Sequence, residues 1–241
     1  MDKDLSEFQL ARLKKLQYTL MAGKGRGEVT YPELHNKVFR FWKDFWTHVY
    51  GKQGSLDAFN LDDFSRQDVV GVLHSGDEVV ALNLSTVFQA DLQACREHHY
   101  FKFYPPEVFE FLKSEGARTL ATIEFFSVNP NWRSHLAGLS LGEIVVGLGV
   151  NLSRALGADA MFAAARTEVG SSRMGQTYGM RCFQAGLVKR NFKIDLLVGF
   201  LREMHPHPDP QIQGWVDQYW SQRTDLTGIT TGGKKPERKV A

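Results

Sequence analysis

The hydrophobic pattern changes from helical spacing near the start of the chain to strand-like runs in the middle. Residues 4–20 carry leucines at helical spacing and predict an amphipathic helix, and residues 30–50 predict a second helix that is rich in aromatic side chains. Further along, we predict strands at 69–74, 78–88, 119–128, 160–165, 187–190 and 194–201, and helices at 105–113, 140–157, 169–178 and 211–221. This order predicts a mixed α/β (α+β) fold, with a central, mostly antiparallel sheet that contains a strand–helix–strand unit and is flanked by helices.

One stretch, residues 119–157, joins a strand, a turn and a capped helix. The run 119–128 is apolar at both parities, which predicts a central strand covered on both faces, and Glu124 is its only carboxylate. A loop with Arg133 follows, and Ser140 with Glu143 fits a capping box at the start of the helix. Free N–H groups at a helix N-terminus favour phosphate binding, and a carboxylate on the neighbouring strand favours proton transfer.

The composition is typical of a soluble globular protein. Hydrophobic residues make up 43% of the 241 positions and charged residues 23%, and the net charge of +2 does not indicate nucleic-acid binding. Cys95 and Cys182 are far apart, and the histidines lack ligand spacing, so we predict no metal site. Because there is neither a signal-peptide pattern nor an apolar run of bilayer length, we expect a cytoplasmic protein.

Residues 69–201 resemble the GNAT superfamily of N-acyltransferases. In that family the fourth strand ends in a Val-x-Pro-like turn, followed by an Arg/Gln-x-x-Gly-x-Gly/Ala loop and a helix. Here Val128 ends the strand before Asn129 and Pro130, Arg133 stands at the Arg/Gln position, and Gly138 at the second glycine. The resemblance implies that Val128 main-chain groups bind the pantetheine arm of an acyl thioester, and that loop N–H groups hold its phosphates. The implied donor-binding residues are Val128, Arg133, Ser134, His135, Ala137, Gly138 and Leu139.

Two positions differ from the family pattern and bear on the donor. Leu136 stands where the family usually has glycine, and Gln176 where it usually has a general-acid tyrosine. A side chain at 136 limits the approach of backbone to a pyrophosphate. The donor is therefore left open between acyl-CoA, with an acetyl or a long acyl group, and an acyl-carrier protein thioester. The aromatic helix would suit a long acyl chain, as in the N-acyl amino acid synthases.

Glu124 is the predicted catalytic residue. Burial beside Ile123 and Phe125 would raise its pKa and make it a usable base near neutral pH. A base is required because an attacking ammonium must lose a proton before it reaches a thioester. The alternative interpretation is a structural ion pair between Glu124 and an arginine such as Arg118 or Arg166.

The predicted function is an N-acyltransferase that moves an acyl group from a pantetheine thioester to a primary amine on a small molecule. The alternative is a non-catalytic module that binds an acyl thioester or a carrier protein on the same fold. Residues 1–27 are predicted to form an amphipathic helix and a flexible joint, 28–221 the GNAT-like domain, and 222–241 a disordered basic tail. Basic residues at both ends are predicted to be solvated, with docking of an acidic carrier protein or of a membrane surface as a weaker interpretation.

Overall fold

The computed structural model describes residues 6–24, 31–133 and 139–229. Its helices are α1 Glu7–Lys14, α2 Pro32–Lys52, α3 Asp62–Ser65, α4 Gln93–Arg96, α5 Glu107–Ser114, α6 Pro130–Arg133, α7 Leu141–Ala155, α8 Ser171–Thr177 and α9 Pro210–Ser221. Its strands are β1 Gln17–Met21, β2 Val69–Ser75, β3 Glu78–Ser85, β4 Val87–Gln89, β5 Thr119–Thr122, β6 Glu124–Val128, β7 Ala160–Arg166, β8 Arg181–Lys189, β9 Phe192–Phe200 and β10 Thr224–Leu226. Two 3-10 segments, Leu56–Ala58 and His99–Phe103, complete these elements.

The strands form two five-stranded sheets, in the orders β10-β1-β2-β3-β6 and β4-β5-β7-β9-β8. Most pairs are antiparallel, and the parallel pairs are β1 with β10 and β5 with β7. The β5–β7 pair needs a crossover connection, which contains α7. The mixed, mostly antiparallel α/β fold with a strand–helix–strand unit is therefore confirmed.

The predicted single strand 119–128 is divided at Ile123, which corrects the sequence prediction. Its first part, β5, pairs with β7 in one sheet, and its second part, β6, pairs with β3 in the other. Between the ladder pairs Leu82–Ser127 and Leu84–Glu124, two residues of β6 lie opposite one residue of β3. This β-bulge includes Phe125, whose φ of 47° lies in the left-handed region. A periodicity argument cannot show the division, because both parts are equally apolar.

The two ends of the chain also differ from the prediction. The helix predicted for 4–20 ends at Lys14, because residues 17–21 pair with β2 on one side and with β10 on the other. Strand β10 likewise lies inside the predicted tail, so residues 224–226 belong to the sheet. The glycine-rich joint at 25–27 and the last part of the tail, 230–241, lie outside the described residues. The division into domains stays a prediction.

Helix α7 packs against both sheets. Ile144 and Leu148 belong to the core that α7 forms with α9 and the first sheet, whereas Val146 and Val150 belong to the core with α8 and the second sheet. A third core lies between α2, α5 and strands of both sheets, where Trp42 is completely buried. No helix in the described parts of the chain combines the length and apolar character that crossing a membrane requires.

Candidate functional site

A cavity of about 490 Å³ lies where β6 turns away from β7 into the other sheet. Two groups among its lining residues matter for its chemistry, and we call them the polar wall and the apolar wall. The polar wall consists of Asp63, His99, Tyr100, Glu124, Lys189 and Arg190. The apolar wall consists of Ile123, Val146, Met161, Met174, Met180 and Leu197. One cavity thus combines titratable groups with a hydrophobic surface, as small-molecule sites commonly do.

The break between the two strands aims Glu124 at this cavity. The Ile123 N–H donates to the Phe162 carbonyl oxygen at 2.9 Å, so the chain still follows β7 one residue before Glu124. The bulge then redirects it, and Trp46 of α2 holds the bulge from the other side. The Trp46 indole N–H donates to the Ser127 hydroxyl at 2.9 Å and to the Phe125 carbonyl at 3.3 Å. Glu124 is therefore placed by a backbone irregularity that two separate elements maintain.

A threonine fixes the carboxylate orientation of Glu124. The Thr122 hydroxyl donates to Glu124 Oε1 at 2.8 Å and accepts from the Thr86 backbone N–H at 3.0 Å. The Thr122 N–H also donates to the Thr86 carbonyl at 3.0 Å, which anchors the hydroxyl on both sides. The single hydroxyl proton has two acceptors within reach, Glu124 Oε1 at 2.8 Å and the Thr86 carbonyl at 3.3 Å, and the shorter contact to the carboxylate is the stronger one.

Burial raises the pKa of Glu124 above its ordinary value. The Thr122 hydrogen bond and the charges of Lys189 and Arg66 act in the opposite direction, but desolvation is the largest effect. No cationic side chain in the described parts of the chain lies within 4 Å of its carboxylate. The alternative ion pair is therefore absent, because Arg118 approaches Asp91 at 3.8 Å and Arg166 pairs with Glu168 at 2.6 Å.

Lys189 is the second unpaired charge on the polar wall. Its Nζ lies 5.1 Å from the ring centre of Tyr100 and 5.0 Å from that of Phe103, which is cation–π geometry. Burial lowers the pKa of Lys189 to about 8, while the charge of Glu124 acts to raise it. Sequence reasoning missed this residue, because a Lys-Arg-Asn run at a hairpin turn is typical of a solvated surface.

Next to Lys189, a charged network surrounds the buried carboxylate of Asp63. Arg66 forms an ion pair with it, and Arg190 and His99 each lie 3.8 Å from one of its oxygens. Burial and the neighbouring arginine charges lower the pKa of His99 to about 4, so its ring is neutral near pH 7. The sequence offered no signal for the whole network, since His99 and Arg190 are separated from Asp63 and Arg66 by long stretches of chain.

Three residues that the sequence predicts for donor binding line the same cavity as Glu124, namely Val128, Arg133 and Leu139. The Arg133 Nε–H donates to the Val128 carbonyl at 3.1 Å, and burial lowers the arginine's pKa. Leu139 is buried directly before α7. The predicted residues Ser134, His135, Ala137 and Gly138, and also Leu136, lie outside the described residues.

The predicted cap of α7 is confirmed, and the family's tyrosine position is filled differently. The Ser140 hydroxyl accepts from the Glu143 N–H at 3.2 Å. Gln176 donates to the Ser172 hydroxyl at 3.0 Å, within α8. The Tyr178 hydroxyl donates to the Glu143 carbonyl at 2.8 Å. No tyrosine of α8 is thus presented to the cavity among the described residues.

Two other tyrosines approach Glu124 instead. The hydroxyls of Tyr100 and Tyr104 lie 3.1 Å apart in the interior, and Tyr100 lines the cavity. Burial raises the pKa of both groups, and the charge of Glu124 adds to this effect. Both phenols are therefore neutral near pH 7 and able to donate a proton. Nothing in the sequence connects this 3-10 segment with Glu124.

Glycines allow the elements of the apolar wall to pack closely against one another. A Cβ at Gly142 of α7 would meet the Met174 Sδ at 2.8 Å, and a Cβ at Gly175 of α8 would meet a Leu197 methyl at 2.7 Å. Both distances are too short for an added methyl group, so α7, α8 and β9 approach closely because these side chains are absent. At these two positions, the side chains of Met174 and Leu197 lie directly against the glycines, and methionine is a flexible side chain that fills such gaps.

Comparison with solved structures identifies the architecture. A CoA-dependent acyl-homoserine lactone synthase, BjaI, with SAM and isopentyl-CoA, aligns with a TM-score of 0.56 at 11% identity, over 87% of this chain and 93% of that chain. The BjaI structure with MTA gives a TM-score of 0.53 at 12% identity, over the same 87% and 93%. The fold is GNAT-like. FeeM, an N-acyl amino acid synthase from uncultured soil microbes, aligns at a TM-score of 0.40 and 9% identity, over 56% of this chain and 68% of its own. Neither a protein-family model nor a curated protein matches the sequence.

Proposed function

We propose that this GNAT-like chain is an N-acyltransferase, moving an acyl group from a pantetheine thioester to a primary amine on a small molecule. The observation that carries the proposal is Glu124, an unpaired carboxylate of raised pKa on the wall of a cavity that also has a large apolar surface. A carboxylate whose pKa is raised binds a proton more tightly than a free glutamate and is therefore a stronger general base. The apolar wall offers space for an acyl chain beside that base.

In the proposed reaction, Glu124 takes a proton from the acceptor ammonium, directly or through a water molecule. The neutral amine then attacks the thioester carbonyl carbon, a C–N bond forms, and the C–S bond breaks to release the thiol. Strand N–H groups near Val128 would stabilise the oxyanion that forms during attack. The proton taken up by Glu124 then passes to the departing thiolate, and the neutral Tyr100 phenol, which lines the same cavity, is a candidate hydrogen-bond donor to the leaving sulfur.

For the donor, we propose that the segment 128–139 holds the thioester. The donor-binding set is the one that the resemblance implies: Val128, Arg133, Ser134, His135, Ala137, Gly138 and Leu139. Arg133 already bonds the Val128 carbonyl, and a carbonyl has a second lone pair available for a pantetheine N–H. The proposed donor is acyl-CoA or an acyl-carrier protein thioester. BjaI, which shares the fold, is CoA-dependent and was solved with isopentyl-CoA.

For the acceptor, we propose an amino acid or a compound with the same pairing of an amine and an anion. Lys189 and Arg190 bring positive charge to the wall that contains Glu124. An α-carboxylate would neutralise this charge while its amine faces the base. SAM, which BjaI was solved with, also carries an amino acid group. We place the reaction in the cytoplasm, a location that the unpaired cysteines Cys95 and Cys182 support.

A second candidate function is a non-catalytic module that binds the thioester or its carrier protein. It is favoured by the absence of a family-type tyrosine, since Gln176 is bonded within α8 and Tyr178 is bonded to Glu143. Such a module would bind donors and release no thiol.

The experiment begins with thermal unfolding in the presence of acetyl-CoA, a long-chain acyl-CoA and an acyl-carrier protein thioester, because a ligand that binds the folded state raises Tm. The stabilising donor is then mixed with a panel of amino acids and simple amines, and free thiol and N-acyl product are quantified. Repeated turnover that yields equal amounts of both, well above the amount of protein and only when donor and amine are present together, supports the acyltransferase. Stabilisation by a donor without thiol release from any amine supports the binding module.

A further inference from the structure

We propose that Lys189 is a self-acylation site: when the cavity holds a thioester and no acceptor, the Lys189 Nζ takes the acyl group. This inference rests on the proposed function, because it requires a donor bound in this cavity. The protein would carry a covalent acyl modification. The acceptor concentration would control the fraction of the protein that remains unmodified and active.

Lys189 is a primary amine of the protein itself, and it lies on the wall of the cavity in which the proposed acceptor amine would react. Among the described residues that line the cavity, it is the only lysine. It ends β8 directly before a turn in which Arg190 and Asn191 have φ values of 51° and 65°, so the hairpin fixes its position. Its Nζ rests against two aromatic rings and has no carboxylate within 4 Å in the described parts of the chain.

The surroundings of Lys189 favour a reactive, neutral amine. Burial lowers its pKa to about 8, Arg190 adds to this effect, and Glu124 on β6 opposes it. From the 3-10 segment, Lys189 meets the neutral ring of His99 and the neutral phenol of Tyr100. With a pKa of about 8, roughly one Lys189 in ten is uncharged at pH 7, against about one in a few thousand for a free lysine.

The chemical step is the same transfer with a different amine. The Nζ lone pair attacks the thioester carbonyl carbon, the new C–N bond forms, and the C–S bond breaks. The proton that nitrogen loses passes through Glu124 to the departing thiolate, so the products are an amide on Lys189 and a free thiol. No oxidant, reductant or further reactant is needed.

Acylation would change the cavity in two ways. The amide is uncharged, which removes a positive charge from the polar wall, and the added acyl group occupies space next to Glu124. An acceptor carboxylate would have the opposite effect, because pairing with Lys189 raises the pKa of the lysine and keeps its Nζ protonated. Acceptor binding is therefore expected to protect the site.

The test incubates the full chain with octanoyl-CoA or acetyl-CoA in the absence of any amine, followed by peptide mass spectrometry. We expect one acyl group, located on Lys189, with a labelling rate that rises with pH until the lysine is fully neutral near pH 9. K189R should lose the label while keeping the positive charge. K193R, at an exposed lysine on the next strand, is the matched control and should be labelled like the parent protein. E124Q should label at least about tenfold more slowly, since it lacks the base.

Acceptor-dependent thiol release is measured in the same samples, so the two proposals fail separately. Unmodified Lys189 in a protein that turns over an added amine would overturn self-acylation and leave the transferase intact. Acyl groups spread equally over exposed lysines, or retained in K189R, would also overturn it. Modification confined to Lys189 without turnover of any tested amine would support self-acylation and count against the proposed acceptors.

Discussion

The polar and apolar walls face the same cavity but are built in different ways. The apolar wall comes from α7, α8, β7 and β9, which pack as one continuous core. The polar wall is assembled from β6, the β8–β9 hairpin and the segments around Asp63 and Tyr100, which are distant in sequence. The apolar wall results from ordinary core packing. The polar wall contains the charges of Glu124 and Lys189 without an ion-pair partner among the described residues, which lowers the stability of the fold. Such a cost is typical of a functional site.

The largest expected effect comes from removing the base on the polar wall. Glu124→Gln keeps the shape of the side chain and abolishes its proton acceptor, so turnover should fall about a hundredfold to ten-thousandfold. In the parent protein, kcat/KM should rise with pH through the raised pKa of Glu124, because only the ionised form is a base. Initial rates of thiol release across pH measure both.

Stability separates this role from a structural one. A glutamate whose pKa is raised in the folded state destabilises the fold progressively as pH rises from its ordinary pKa through the raised value. Glu124→Gln should therefore leave Tm unchanged in acid and keep or raise it at neutral pH. A variant that loses Tm and activity together at neutral pH would show that Glu124 has a structural role.

The next effect concerns the apolar wall. Met174→Ala removes side-chain volume beside Gly142 and should favour longer acyl donors. We expect the ratio of kcat/KM between a longer and a shorter donor to change by about tenfold or more, because one methylene in a hydrophobic pocket changes kcat/KM by about 10–200-fold. Met204→Ala is a matched control, since it belongs to the same core but does not line the cavity. An unchanged donor preference in Met174→Ala, with normal Tm, would place the acyl chain elsewhere.

A smaller effect is expected at Thr122, whose hydroxyl bonds the Glu124 carboxylate. Thr122→Val removes the hydrogen bond that favours the charged carboxylate, so the pKa of Glu124 should rise further and the rising limb of kcat/KM should move to higher pH. Near neutral pH we expect kcat/KM to fall about tenfold, because a hydrogen bond to a charged group contributes about 1.5–3 kcal/mol. Thr122→Ser should restore the profile, and Thr119→Val on the same strand should not alter it. A purely structural Thr122 would lower Tm without moving the profile.

The smallest effect is expected at Arg133, in the segment that by the resemblance binds the phosphates of the donor. Arg133→Gln should weaken binding of acyl-CoA by about fivefold, as for a partly exposed charge, and Arg133→Lys should weaken it less. An acyl-pantetheine donor without phosphates is the control and should bind both variants alike. Equal losses for both donors would instead assign Arg133 to holding the Val128 carbonyl, which it contacts now. Titration of Tm against donor concentration measures these affinities.

The fold class and the position of Glu124 as a candidate base could be predicted from the sequence because their signals are local. Glu124 is a lone carboxylate in an apolar run, and Ser140 caps a helix whose apolar spacing is clear. The residues 17–21 were misassigned because Leu16 and Leu20 continue the helical spacing of Leu13, while the pairing with β2 and β10 that decides the matter is long-range.

The polar wall could not be predicted as a unit. Lys189 sits at a hairpin turn and Tyr100 in an aromatic segment, and only the break in the strand at Ile123 brings Glu124 to them. At that break, Trp46 donates hydrogen bonds to the bulge, and the two parts of the predicted strand, β5 and β6, belong to different sheets. Neither cause leaves a pattern in the sequence around residue 123.

In the proposed reaction, one cavity brings an acyl thioester to Glu124 along the apolar wall. The most direct measurement is a crystal structure of the protein with a non-reactive thioether analogue of octanoyl-CoA. We predict that its chain contacts Met161 and Met174 and that its sulfur lies within reach of Glu124, directly or through one water molecule. An analogue bound with its chain outside the cavity, or with its sulfur remote from Glu124, would contradict the account.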